Sequence, residues 1–188
     1  MTGRRTDSTP EGAYRRVTNP DRFGPLHEIA RRHLGQLEAR YDVVRQTFTE
    51  ADPHGSAPAA GVRLVPRDAA AAPLAVVFDA FPGVLVRCGR QDADGVHLPR
   101  CGCDACAESV VDCAEEFAGL IDATISGSFG ERLIQDDGAW WHEEWYRTPT
   151  WSGGGRSRLE TDQLAVLRKA VPAGGSAWAP WTERSERG

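Results

Sequence analysis

Cys101-Gly102-Cys103-Asp104-Ala105-Cys106 places three thiols within six residues. Cys88 and Cys113 bring the total to five, an odd number. Three cysteines so close together make a poor disulfide framework, and in a reducing compartment such a run marks a metal or redox site. Zinc takes soft and borderline ligands in a tetrahedron, and a Cys-x-Cys-x-x-Cys run can supply three of them from one turn. Gly102 permits the bend between the first two. A helix beginning near Asp104 would put Cys103 and Cys106 in its first turn, where free amides favour the thiolate. A readily formed thiolate serves metal binding and redox chemistry equally, so zinc, thiol redox chemistry and plain reduced cysteines all stay open. For a closed site His97, four residues before Cys101, is the first candidate for the fourth ligand, and Cys88 the second. Cys113 would lie ~10 Å along the helix from Cys106 and reads as a small buried apolar residue. An iron–sulfur centre usually needs four cysteines. A zinc deaminase needs a His-x-Glu helix upstream, and none is present.

Other residues suggest chemistry more weakly. His142-Glu143-Glu144 could supply an acid–base pair, or the wet face of a Trp-rich strand. Glu28 suits the positive end of a helix, while the neighbouring His27 stays unassigned. His33 falls on an apolar stripe and reads as a core histidine. Asp136-Asp137-Gly138 reads as a turn before it reads as a carboxylate pair. Gly153-Gly154-Gly155-Arg156 lacks the Gly-x-x-x-x-Gly-Lys pattern of a phosphate loop and reads as a flexible linker. Trp140, Trp141 and Trp145 could line an apolar pocket or cap a small core.

The elements that must position these residues follow from periodicity. Leu26 to Tyr41 has apolar residues at helical spacing, with Pro25 at the first turn. Asp42–Glu50 and Val62–Val65 read as strands, with a loop over Ala51–Ala60 between them. Leu74–Phe81 and Val84–Cys88 are the strongest strand signals, joined by a turn at Pro82-Gly83. Gln91–Arg100 is a polar loop that ends in the cysteine run. Asp104 to Ile125 reads as a long second helix with a stripe of Cys106, Val110, Cys113, Phe117, Leu120, Ile121 and Thr124, closed by Gly127. Glu131–Gln135 with Ala139–Tyr146 reads as a hairpin, although Trp140 to Trp145 would also suit a short helix. Ser152–Ser157 is a glycine-rich loop, and Thr161–Ala170 a short third helix.

The fold class is therefore α+β: an N-terminal helix, an antiparallel meander of three to four strands, a long helix packed on the sheet, and a small C-terminal hairpin and helix. Residues 1–12 read as a disordered lead, 13–170 as one domain, and 171–188 as a flexible tail from which Trp178 and Trp181 could pack back. The chain has 188 residues, 40% of them hydrophobic and 26% charged. A net charge of −5 argues against nucleic acid, because phosphate neutralisation drives such binding. No run approaches the ~18 apolar residues of a membrane span, and the N-terminus lacks the apolar core of a signal peptide. These features predict a cytoplasmic protein with an unidentified protein or small-molecule partner.

Two stretches carry a resemblance when taken together. They are YRRVTNPDRFGPLH from Tyr14 to His27, and the run from Phe81-Pro82-Gly83-Val84-Leu85-Val86-Arg87 to CGCDAC. The pair resembles a domain-of-unknown-function family of small actinobacterial proteins, over roughly Tyr14 to Tyr146. The resemblance implies one domain and gives weight to the cysteine run; it implies no catalytic residue and no substrate. The expected function is a non-enzymatic binding domain with a structural zinc on Cys101, Cys103, Cys106 and His97. The alternatives are a thiol redox or regulatory protein using the same cysteines, and a hydrolase-like enzyme using His142 and Glu143.

Overall fold

A computed structural model describes residues 16–52, 55, 57–90, 95–149, 152–171 and 175–185. The expected disordered lead at 1–12 lies outside the described residues. A short 3-10 helix, Pro20–Phe23, leads into α1, Pro25–Arg40. Five strands follow as an antiparallel meander in sequence order: β1 Val43–Glu50, β2 Ala59–Pro66, β3 Leu74–Phe78, β4 Val84–Cys88 and β5 Val96–Leu98. Then come α2, Val110–Ile125, and a second antiparallel sheet in the order β8-β7-β6-β9, built from β6 Phe129–Asp136, β7 Ala139–Arg147, β8 Ser152–Arg158 and β9 Ser176–Ala177. Helix α3, Thr161–Ala170, lies between β8 and β9 in the chain. This is an α+β fold. No helix among the described residues is long and apolar enough to cross a membrane.

The two long helices share one face of the meander. Leu26, Ala30 and Leu34 of α1 and Phe117, Leu120 and Ile121 of α2 are buried with Leu64, Leu74, Val76, Val84 and Val86 of the strands. Each large side chain buried in this way contributes ~1.5–3 kcal/mol. Alternation sends Val77 and Leu85 to the far face, where they pack with Ala59 and Phe48. Central strand β3 is thereby buried on both sides, which matches the strength of its apolar signal.

Three expectations are corrected. Helix α2 begins at Val110 rather than Asp104, because Ser109 caps it: the Ser109 hydroxyl accepts from Asp112 N, and the Asp112 carboxylate accepts from Ser109 N. Cys106 therefore lies in a separate turn and leaves the helical stripe, of whose other expected members Val110 is half-buried and Cys113, Phe117, Leu120, Ile121 and Thr124 are buried. Ser152–Arg158 is an edge strand rather than a loop, laddered to β7 from Trp141↔Arg158 to Arg147↔Ser152. The polar loop before the cysteines contains strand β5, held against β4 at Leu85↔His97.

The Trp-rich segment is a strand. Asp137 (φ +47°) and Gly138 (φ +74°) form the two-residue turn between β6 and β7, the positive-φ geometry that hairpins favour. The stretch read as a loose tail packs down from Ser176 to Arg184. Trp181 is 5% exposed, its Nε1 donates to Ala72 O at 2.8 Å, and its ring meets Tyr41 edge-on. Main-chain bonds from Trp181 to Ile125, Asp42 to Thr182 and Arg184 to Arg40 fix the rest. The two tryptophans supply the apolar area that the average composition of the tail conceals.

Candidate metal centre

The cysteine run leaves β5 and turns back under the N-terminal segment. Gly102 has φ +69°, and a Cβ there would lie 2.8 Å from the Phe81 ring, so glycine is required on both counts. Glu108 holds the turn from within. Its Oε1 accepts from Arg100 N at 2.9 Å, and its Oε2 from Cys101 N at 2.9 Å and Gly102 N at 3.1 Å. Burial opposes the Glu108 charge, but the amides of Gly102, Cys101 and Arg100 prevail and its carboxyl is held below its ordinary value.

The N-terminal segment holds the turn from outside. Asp104 Oδ1 accepts from Thr18 N at 3.0 Å and Thr18 Oγ1 at 3.2 Å, Asp104 N donates to Arg16 O, and Arg22 Nη2 donates to Gly102 O at 2.9 Å. The Thr18 amide and hydroxyl, with Arg22 nearby, keep the Asp104 carboxyl low. The two stretches that carry the family resemblance are thus in direct contact.

Within this frame the sulfurs of Cys101, Cys103 and Cys106 all lie within 4.8 Å of one another. Tetrahedral zinc with ~2.3 Å bonds needs sulfurs roughly 3.8 Å apart, and three sulfurs this close could hold a metal ion. Cys103 is buried, while Cys101 and Cys106 are exposed. A hydrogen bond from Cys101 lowers the Cys103 thiol pKa. Burial opposes that, and Cys106 with the backbone amides of Cys106 and Ala105 adds to it. As a donor to Cys103 and Cys101, Cys106 is pushed up to about 12. Of the three thiols, Cys103 is thus the one whose charged form the other two favour. The amides that favour it belong to the turn itself and not to the first turn of a helix.

The remaining sequence candidates lie elsewhere. His97 is not among the three-sulfur group; its Nδ1 is 3.8 Å from Asp79 Oδ2 on the meander. Cys88 ends β4 inside the core, where burial pushes its thiol up to about 12 against a hydrogen bond with Thr124. Cys113 is 2% exposed on α2, and burial pushes it up to about 11, as suits a small apolar residue. His27 Nε2 meets Gly83 O at 2.8 Å. His33 packs edge-on to Phe117, its pKa lowered first by burial and then by Arg32.

His142 and Glu143 occupy opposite faces of β7, as successive strand residues must. Glu143 pairs with Arg132 at 2.7 Å, and His142 reaches the buried Glu131 at 2.9 Å. The tryptophans of β7 are half-buried, Trp140 beneath Arg168, Trp141 beneath Arg156 and Trp145 beneath Arg132. Glu108, Thr18 and Arg22 were not singled out from sequence. A carboxylate two residues beyond Cys106 and just before a Ser-x-x-Asp cap was the one local signal for Glu108.

Residues 3–185 match a family described only as a family of unknown function (DUF6226). The chain belongs to DUF6226. No curated protein and no solved structure matches it. For this DUF6226 member the match extends past the Tyr14–Tyr146 span of the sequence resemblance and takes in the packed C-terminal segment. Glu108, Arg22 and Thr18 all fall within it.

Proposed function

We propose that Cys101, Cys103 and Cys106 hold one zinc ion that staples the cysteine turn between the Thr18–Arg22 segment and the start of α2. The domain then acts by binding a partner rather than by transforming a substrate. The convergence of three sulfurs within 4.8 Å carries this reading. It is supported by a turn whose amides are already committed to Glu108 and whose carbonyls receive Arg22, so the loop is set before any ion arrives. Among the described residues no fourth side chain joins the sulfurs. The fourth position falls to water or to a partner's side chain on the exposed flank of Cys101 and Cys106, and His97 would have to leave Asp79 to fill it. A reducing compartment, as expected of a cytoplasmic protein, keeps the set available.

The exposure of Cys101 and Cys106 beside Cys103, whose thiol is shifted downward by them, supports a second reading, a thiol redox or regulatory turn. Elemental mass spectrometry on untagged protein purified under reduction separates the two. One zinc per chain, lost together with several degrees of melting temperature in Cys103→Ser, is the expected result. A metal-free protein whose three thiols react freely overturns zinc and leaves the redox reading in its place.

A further inference from the structure

Strand β8 ends the second sheet, and its outer side has no strand partner among the described residues. All of Ser152–Arg158 is exposed, and the run holds neither proline nor lysine. Leu159 N donates to Trp140 O at 2.9 Å, and the bonds of an antiparallel ladder alternate along the strand. The main-chain groups of Gly153, Gly155 and Ser157 therefore face β7, opposite Tyr146, Glu144 and His142. Those of Ser152, Gly154, Arg156 and Arg158 point away from the sheet. An open row of this kind is a template for another strand, and proteins cover it or guard it with charge. Here the guards are Arg156 and Arg158.

The two flanks of the edge define the strand that fits. Register puts Arg156 and Arg158 on one face with Arg147 of β7 and Arg132 of β6, against the acids Glu143 and Asp136. That face is net positive in a chain whose net charge is −5. Arg132 pairs with Glu143 and Arg156 with Asp136, whereas Arg147 and Arg158 have no acidic partner among the described residues. On the other face lies a cleft of about 480 Å³, walled by Gly155, Ser157 and Leu159 and by Val166 and Leu167 of α3. Glu144 and Asp162 line it too and disfavour acids on that side. We propose that β8 is a docking edge for an extended acidic segment of a partner protein, added antiparallel. Its acidic side chains lie over Arg156 and Arg158, and the small apolar ones between them lie over the cleft. A second copy of this chain fits poorly, because twofold pairing of two β8 strands would bring the arginines of both copies to one face. The edge shares no residue with the cysteine turn and does not rest on the zinc reading.

The heptapeptide Glu-Val-Glu-Val-Glu-Val-Glu, blocked at both ends, is the probe, titrated into the full chain while amide exchange is followed by NMR. Saturable protection is expected at the amides of Ser152, Gly154, Arg156 and Arg158, with Gly153, Gly155 and Ser157 unchanged. The same peptide with lysine for glutamate should bind at least about tenfold more weakly. Arg158→Gln should weaken the acidic peptide by about threefold, and Arg45→Gln on the meander should leave it unchanged. No protection, protection that ignores the alternation, equal binding of the lysine peptide, or unchanged binding in Arg158→Gln would each overturn the proposal. Protection of the same amides in the free chain that grows with protein concentration would also overturn it, by giving the edge to a second copy.

Discussion

Cys103 and Glu108 do most to set the character of the cysteine turn, and sequence disclosed only the first. Thiols at Cys-x-Cys-x-x-Cys spacing announce their chemistry by type. Glu108 does its work by aiming both oxygens at three amides, which depends on a backbone path that no spacing reveals. Removing that carboxylate leaves the amides of Arg100, Cys101 and Gly102 without a charged acceptor. Glu108→Ala should therefore cost about 2 kcal/mol of unfolding free energy, read by urea denaturation. The same bonds set a pH dependence. The folded carboxyl sits below its ordinary value, so its contribution is fully present above the unfolded pKa near ~4.3. It is lost as pH falls through the lower folded value. Denaturation midpoints followed downward from neutral pH should fall less steeply through this window in Glu108→Ala than in the parent protein. Parallel curves would show that the carboxylate does not hold the turn.

Strands β2 to β4 of the meander were legible from their short apolar runs, and β3, buried on both faces, was clearest, while the three-residue β5 was hidden in a polar loop. The boundary of α2 was misplaced because Cys106 stands in phase with Cys113 and Phe117, so periodicity ran on through a turn that the Ser109–Asp112 cap interrupts. Ser109→Ala should cost about 1 kcal/mol, measured by thermal or urea unfolding, and an unchanged stability would mean that the cap is not what starts the helix. Strand β8 was hidden for a different reason. Its glycines carry no pattern, and it is a strand because β7 offers it a main-chain ladder. The pairing of His142 with Glu131 was equally hidden, since it needs the register of β6 against β7. In the turn itself, Gly102→Ala would force a side chain into positive φ and against Phe81. A loss of about 1–3 kcal/mol is expected, together with weaker metal retention, both readable on one purified sample.

A single hydrophobic cluster draws on the chain from Phe23 to Trp181 and includes Phe129 and Tyr146 from the second sheet. The C-terminal segment is part of that closure. Trp181→Ala should cost about 3–5 kcal/mol, where a loose tail would cost nothing measurable. Contact between Thr18–Arg22 and the cysteine turn joins chain segments eighty or more residues apart, so the two stretches that carry the resemblance meet in the fold. Periodicity and turn signals foresaw the α+β class and left the partner open, because recognition depends on surfaces that only the folded chain assembles. If the cysteine turn is a metal staple, its ligands must act together on one ion. Cobalt(II) titrated into the reduced, metal-free chain tests this most directly, through the absorption of cobalt–thiolate bonds. A band that saturates at one cobalt per chain, yields to zinc and is absent in Cys103→Ser is the predicted result; no thiolate band in fully reduced protein would contradict it.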